Sequence, residues 1–332
     1  MARSDLLISL VQAGAAGDRP TLTSAVEAII AEERARSHHV LADRLMRALQ
    51  SVPVATSNQS QRGQVTGRDF VIESEPRVRL SDLILTLPAE RLARQVVEEQ
   101  NRADLLRSQG LQPRHRVLLS GPPGNGKTSL AEAIAEAIAV PLLTVRYDAL
   151  VGAYLGETNA RLARMFEFAR SSPCVLFFDE FDAVGKERGD VHETGEIKRV
   201  VSFLLMQIDR IPSYVVAVAA TNHAELLDRA VWRRFQARID MPTPDHARIA
   251  VLVGRFLESW TEATDTTAAK IAARLGSVSF AEVSEFCQNV RRRHVLAQGT
   301  ESLKRVISDE LDLWQERVTP AVNATRKTTT QG

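Results

Sequence analysis

Gly121-Pro122-Pro123-Gly124-Asn125-Gly126-Lys127-Thr128 lies between the apolar run Arg116-Val117-Leu118-Leu119-Ser120 and the stretch Thr128-Ser129-Leu130-Ala131-Glu132-Ala133-Ile134-Ala135. The octapeptide fits the phosphate-cradling pattern G-x-x-x-x-G-K-[ST] without a mismatch. The run before it reads as a buried strand and the run after it as a helix. That strand-loop-helix context is the one the motif requires, and it predicts an α/β fold that binds nucleotide.

The residue types follow from the chemistry. Glycines at 121, 124 and 126 let the backbone fold around phosphate without Cβ clashes, so amide N–H groups and the positive end of the next helix face the anion. Lys127 reaches the β- and γ-phosphates, and the Thr128 hydroxyl offers a ligand to Mg²⁺. The expected nucleotide-binding set is therefore Gly121, Pro122, Pro123, Gly124, Asn125, Gly126, Lys127, Thr128 and Ser129, with ATP and Mg²⁺ as cofactors.

Val175-Leu176-Phe177-Phe178 is a continuous apolar run ending in Asp179-Glu180, the signature of a strand buried on both faces. Asp179 joins the nucleotide-binding set and, with Thr128, the expected metal ligands. Glu180 is expected to polarise the attacking water. A third strand, Val215 to Ala220, ends in Thr221-Asn222. If it neighbours the second, the Asn222 amide lies beside the two carboxylates and holds the water; taken alone, such an Asn is only a turn former.

In order, GPPGNGKT, FFDE, ATN and Arg233-Arg234-Phe235 resemble the AAA clade of the AAA+ ATPases, from about Val78 to about Arg317. Glu196, Arg199 and Leu204-Leu205-Met206-Gln207-Ile208-Asp209 are similar to the helix after the metal-binding strand, and Pro244-Asp245 with Arg248-Ile249 to the entry of a helical lid. The resemblance implies a three-layer αβα large domain with a parallel sheet, a small helical lid and a homo-oligomeric ring, usually of six. Catalysis would then be in trans: Arg233 and Arg234 project at the neighbour's γ-phosphate as arginine fingers. The usual spacer between the two arginines is missing here, and Arg234, directly before the Phe, is the favoured finger. A solvated basic turn is the alternative.

The same resemblance places Tyr154-Leu155-Gly156 on a loop facing a central pore, where an aromatic ring grips polypeptide without reading its sequence. A buried tyrosine capping a turn is the alternative. His192 falls in a second pore loop, where a solvated histidine is equally natural. Ala281 matches the small residue of the AAA-clade lid.

Composition sets limits. With 332 residues and 44% hydrophobic content, the chain has room for about two domains with real cores. A net charge of +1 argues against a general nucleic-acid groove. Cys174 and Cys287 read as reduced, buried thiols of a cytoplasmic protein. No run of about 18 apolar residues is present, so no membrane span is expected, and the first residues read as a short amphipathic helix rather than a signal peptide. Residues 1–50 read as an N-terminal helical module suited to recruiting a partner, 51–77 as a polar linker, 78–243 as the ATPase domain, 244–317 as the lid and 318–332 as a disordered tail.

Three function classes follow: a ring that unfolds or threads a protein substrate; a regulatory ATPase that switches a separate effector such as a protease or nuclease; and, against the charge balance, a nucleic-acid loader. The chain carries neither a His-Glu-x-x-His nor a Gly-x-Ser-x-Gly motif, so any proteolysis would come from a partner.

Overall fold

The structure, a computed structural model, describes residues 26, 28, 29, 66–151, 155–182, 193–260 and 266–318. The chain divides into two compact units, Met1–Gln64 and Val65–Gly332. In the first, Val26, Ala28 and Ile29 are helical. The rest of the N-terminal module, the linker through residue 65, Tyr154, His192 and the tail from residue 319 lie outside the described residues.

The second unit is built on six strands: β1 (Val71–Ser74), β2 (Arg116–Ser120), β3 (Leu142–Val145), β4 (Cys174–Phe178), β5 (Val215–Thr221) and β6 (Ala237–Asp240). Their order is β1-β3-β4-β5-β2-β6. All neighbours run parallel except β1, which pairs antiparallel with β3 from Val71↔Val145 to Ser74↔Leu142. The expected parallel sheet is present, with one antiparallel strand at its edge. The linker expected over 51–77 is corrected at its far end: a 3₁₀ turn, Gly67–Phe70, leads into β1 at Val71–Ser74. The reason is positional: Phe70 and Val71 are buried while the rest of β1 is exposed, and three apolar residues, Phe70-Val71-Ile72, in a polar stretch carry little strand signal.

The central strands are buried on both faces, and the pleat divides their side chains between two cores. Cys174, Leu176 and Phe178 of β4 join Val215, Ala217 and Ala219 of β5 on one face. Val175 and Phe177 join Val216, Val218 and Ala220 on the other. Helix α5 (Leu155–Ala169) covers the first face with Leu162, Met165, Phe166 and Ala169, spaced as one helical stripe, and α6 (Glu193–Asp209) adds Leu204, Leu205 and Ile208. The second face is covered by α1 (Leu87–Asn101) and α3 (Lys127–Ala137). Short helices α2 (Ala103–Ser108), α4 (Tyr147–Leu150) and α7 (Arg229–Trp232) fill connections.

The lid consists of α8 (His246–Glu258), α9 (Ala268–Leu275), α10 (Phe280–Ala297) and α11 (Leu303–Val318), closed on its own core around Ile249, Ile271, Phe286 and Ile307. Asp245 caps α8 by accepting from Arg248 N at 2.8 Å. Ser279 caps α10 in a reciprocal pair with Glu282. Among the described residues no helix is long and apolar enough to cross a membrane.

Candidate active site

The phosphate loop joins the end of β2 to the start of α3. Gly121 has φ 141°, and a Cβ there would sit 2.2 Å from the Met241 carbonyl oxygen, so both the dihedral and the close approach require glycine. Gly121→Ala is expected to lose about 2–3 kcal/mol of stability; a urea unfolding midpoint equal to the parental one would contradict this. Gly126, at φ 85°, is the N-cap that turns the chain into α3.

Lys127 is 7% exposed, and its Nζ donates to the carbonyls of Gly121 (2.6 Å) and Pro122 (2.9 Å). Burial lowers the ammonium's pKa, while the charges of Asp179 and Asp182 act against that shift. The loop thus holds a cation whose hydrogen-bond acceptors among the described residues are its own carbonyls, a pairing that an anion could replace.

Parallel pairing of β4 with β5 and of β5 with β2 brings the strand tips to one edge, at the carboxyl ends where open α/β sheets bind ligands. Asp179 accepts Glu180 N on Oδ1 (2.9 Å) and the Thr128 hydroxyl on Oδ2 (3.4 Å). Glu180 has φ 47°, an uncommon backbone for a non-glycine residue, of the kind concentrated at functional sites. A cavity of about 440 Å³ is lined by Pro123, Gly124, Gly126, Lys127, Thr128, Ser129, Asp179, Glu180 and Asn222, with Phe280, Ala281 and Ser284 from the lid. Gly121 and Pro122 lie behind it as acceptors for Lys127. A larger groove of about 540 Å³ along α1 has neither phosphate loop nor paired carboxylates.

The lid is bonded to the phosphate loop. Ala281 N donates to the Gly124 carbonyl (2.9 Å) and Phe280 N to Asn125 Oδ1 (3.4 Å). Two orphan amides at the N-terminus of α10 are thereby satisfied by the loop itself.

The site fits a triphosphate and its metal. The loop presents amides and one ammonium to an anion, and the Thr128 and Asp179 oxygens are hard donors a hydrogen bond apart. Such a pair suits Mg²⁺, an ion held by one or two protein groups plus phosphates and water.

Asp182 was not anticipated. It is 6% exposed, and its Oδ1 accepts from the Thr221 hydroxyl and from Asn222 N. The signal was an acid set between Phe181 and Ala183-Val184, since a carboxylate in apolar sequence needs a partner.

The two arginines are not in this cavity. Arg234 Nε donates to Asp209 Oδ2 (2.9 Å), and Arg116 at the start of β2 donates to the other oxygen (2.8 Å). Arg233 is exposed. Arg116 opens β2, five positions before Gly121, about 16 Å along the strand. Leu155, expected on the pore loop, is the first residue of α5, and Ala281 lines the cavity.

Residues 117–243 match the family model for "ATPase family associated with various cellular activities (AAA)". A Sinorhizobium fredii protein described as an uncharacterized AAA family ATPase, y4kL, is 35% identical over 325 residues, covering 96% of this chain and 93% of that one. The chain belongs to the AAA family. As an AAA ATPase it binds and hydrolyses ATP. The peroxisomal ATPase pex6 of Schizosaccharomyces pombe is 40% identical over 164 residues, 48% of this chain but 17% of that one. The proteasome-activating nucleotidase of Methanoculleus marisnigri is 43% identical over 152 residues, 43% of this chain and 37% of its own. The chain spans less than half the length of these two relatives.

Proposed function

We propose that this ATPase acts in the cytoplasm as a ring of identical subunits, probed by six-subunit mass, that unfolds or threads a protein substrate. The observation that carries the reading is that neither Arg233 nor Arg234 lines its own chain's cavity, Arg233 being exposed and Arg234 bonded to Asp209. Arginines outside their own site can serve phosphate in a neighbour, and a closed ring gives every site such a neighbour.

Within one site, Lys127 leaves the carbonyls of Gly121 and Pro122 and binds the terminal phosphates. The Thr128 hydroxyl and the Asp179 carboxylate hold Mg²⁺, which supplies charge neutralisation at the phosphate oxygens. Glu180 accepts a proton from the attacking water and Asn222 holds that water by its amide. Arg234 or Arg233 of the adjacent copy stabilises the charge that develops. Tyr154 and Leu155 grip substrate at the pore, with His192 on a second loop. The N-terminal module recruits the client or a partner effector. The name of the proteasome-activating nucleotidase agrees with a protein client, and the two buried free thiols agree with a reducing compartment.

The test is the mass of the Glu180→Gln protein with ATP and Mg²⁺, by light scattering after size exclusion. A shift from the nucleotide-free mass to about six subunits supports the ring, and a monomer under both conditions removes it. In the assembled protein, Tyr154→Ala is expected to abolish unfolding of a tagged client while ATP hydrolysis persists. Unimpaired biological activity of Tyr154→Ala would favour the switch of a separate effector.

A further inference from the structure

Asp182 and Lys127 are the only acidic, lysine or arginine side chains in the buried class among the described residues. A buried carboxylate persists where bonds hold it, and Asp182 is not among the groups lining the cavity. Its Oδ1 accepts the Thr221 hydroxyl at 2.9 Å and the Asn222 backbone N–H at 3.3 Å. Thr221 is fully buried, and its Oγ1 accepts His223 N at 3.0 Å. One carboxylate oxygen thus gathers the last residue of β5 and the residue after it. It ties them to the turn that carries Glu180 two positions upstream.

We propose that Asp182 is a positioning residue for ATP hydrolysis: through Thr221 and the Asn222 backbone it fixes the Asn222 amide against the Glu180 carboxylate, so that both face one water. The proposal rests on the roles given above to Glu180 and Asn222. β4 and β5 pair only through Phe178↔Ala219, so beyond that point the ladder no longer sets the spacing of the two tips. The bonds to Asp182 take over that task. Geometry of this kind matters because a misplacement of about 1 Å costs on the order of 10²-fold in rate. The arrangement predicts an effect on turnover and little on nucleotide affinity, since Asp182 bonds to Thr221 and Asn222 and is not among the groups lining the cavity.

Thr221→Val tests this without changing any charge. Thr221→Val is expected to lower kcat for ATP by about 10- to 100-fold while ADP affinity stays within about twofold, because a lost hydroxyl bond to a positioning group does not touch the phosphate contacts. Thr221→Ser, which restores the donor, recovers most of the rate. If Thr221→Val fails to fold, Thr221→Ala carries the same expectation. A parental kcat in the valine variant overturns the proposal. So does a loss of ADP affinity in proportion to kcat that serine fails to rescue, since that pattern marks a purely structural role. Glu180→Gln measured alongside separates the two levels. If it is inactive while Thr221→Val is parental, only the role of Asp182 falls; if it too turns over at the parental rate, the catalytic assignment of Glu180 falls and this proposal with it.

Discussion

Glu180→Gln is expected to bind ATP and lose about 10²- to 10⁴-fold in hydrolysis, the usual worth of a positioned general base. The carboxylate lines the cavity at the tip of β4, and glutamine matches its size while being unable to take a proton. In the proposed mechanism the neighbouring Asp179 does not stand in, because its carboxylate is assigned to Mg²⁺. Phosphate release, measured beside retention of labelled ATP, reads both halves of the expectation. Parental turnover would remove Glu180 from the mechanism. Mixed with Arg234→Ala subunits, the same protein also tests catalysis in trans. Each variant supplies what the other lacks, so activity above that of either alone is expected from a shared site, and Arg233→Ala in the same mixture shows which arginine acts.

Lys127→Ala is expected to weaken ATP binding by roughly 2–5 kcal/mol, the cost of truncating one partner of a buried charged pair. That is at least about thirtyfold in Kd. Removing the amine takes away the counter-charge to phosphate and leaves the Gly121 and Pro122 carbonyls without their donor. Lys127→Arg should not rescue, since a planar fork does not fit where a compact ammonium bonds two successive carbonyls. Equilibrium binding of a fluorescent ATP analogue measures the effect. Unchanged affinity would mean that the phosphate loop is not where this ATPase holds its nucleotide.

Much of the active edge was readable because phosphate chemistry writes its requirements in contiguous residues. Glycines, lysine and hydroxyl must follow one another on a single turn, and a carboxylate pair must end an apolar strand. β1 escaped because an edge strand with one buried side chain has no period to detect. The pairing of Arg234 with Asp209 escaped because it joins residues 25 positions apart, which sequence spacing does not bring together. Asp182 was legible only as an acid in apolar company, and its partners on β5 required the sheet order. The pore assignments of Tyr154 and His192 rest on resemblance, and both residues lie outside the described structure.

The bonding of α10 to the phosphate loop gives that helix the geometry of a lever arm whose near end rests on the loop. Its 18 residues extend about 27 Å, and its first amides rest on Gly124 and Asn125. A tilt of about 5° at the pivot carries the far tip about 2 Å over that length. At that tip Val295 and Leu296 stand open to solvent, 63% and 81% exposed. The same helix therefore joins the loop that would hold phosphate, at one end, to an exposed apolar pair at the other.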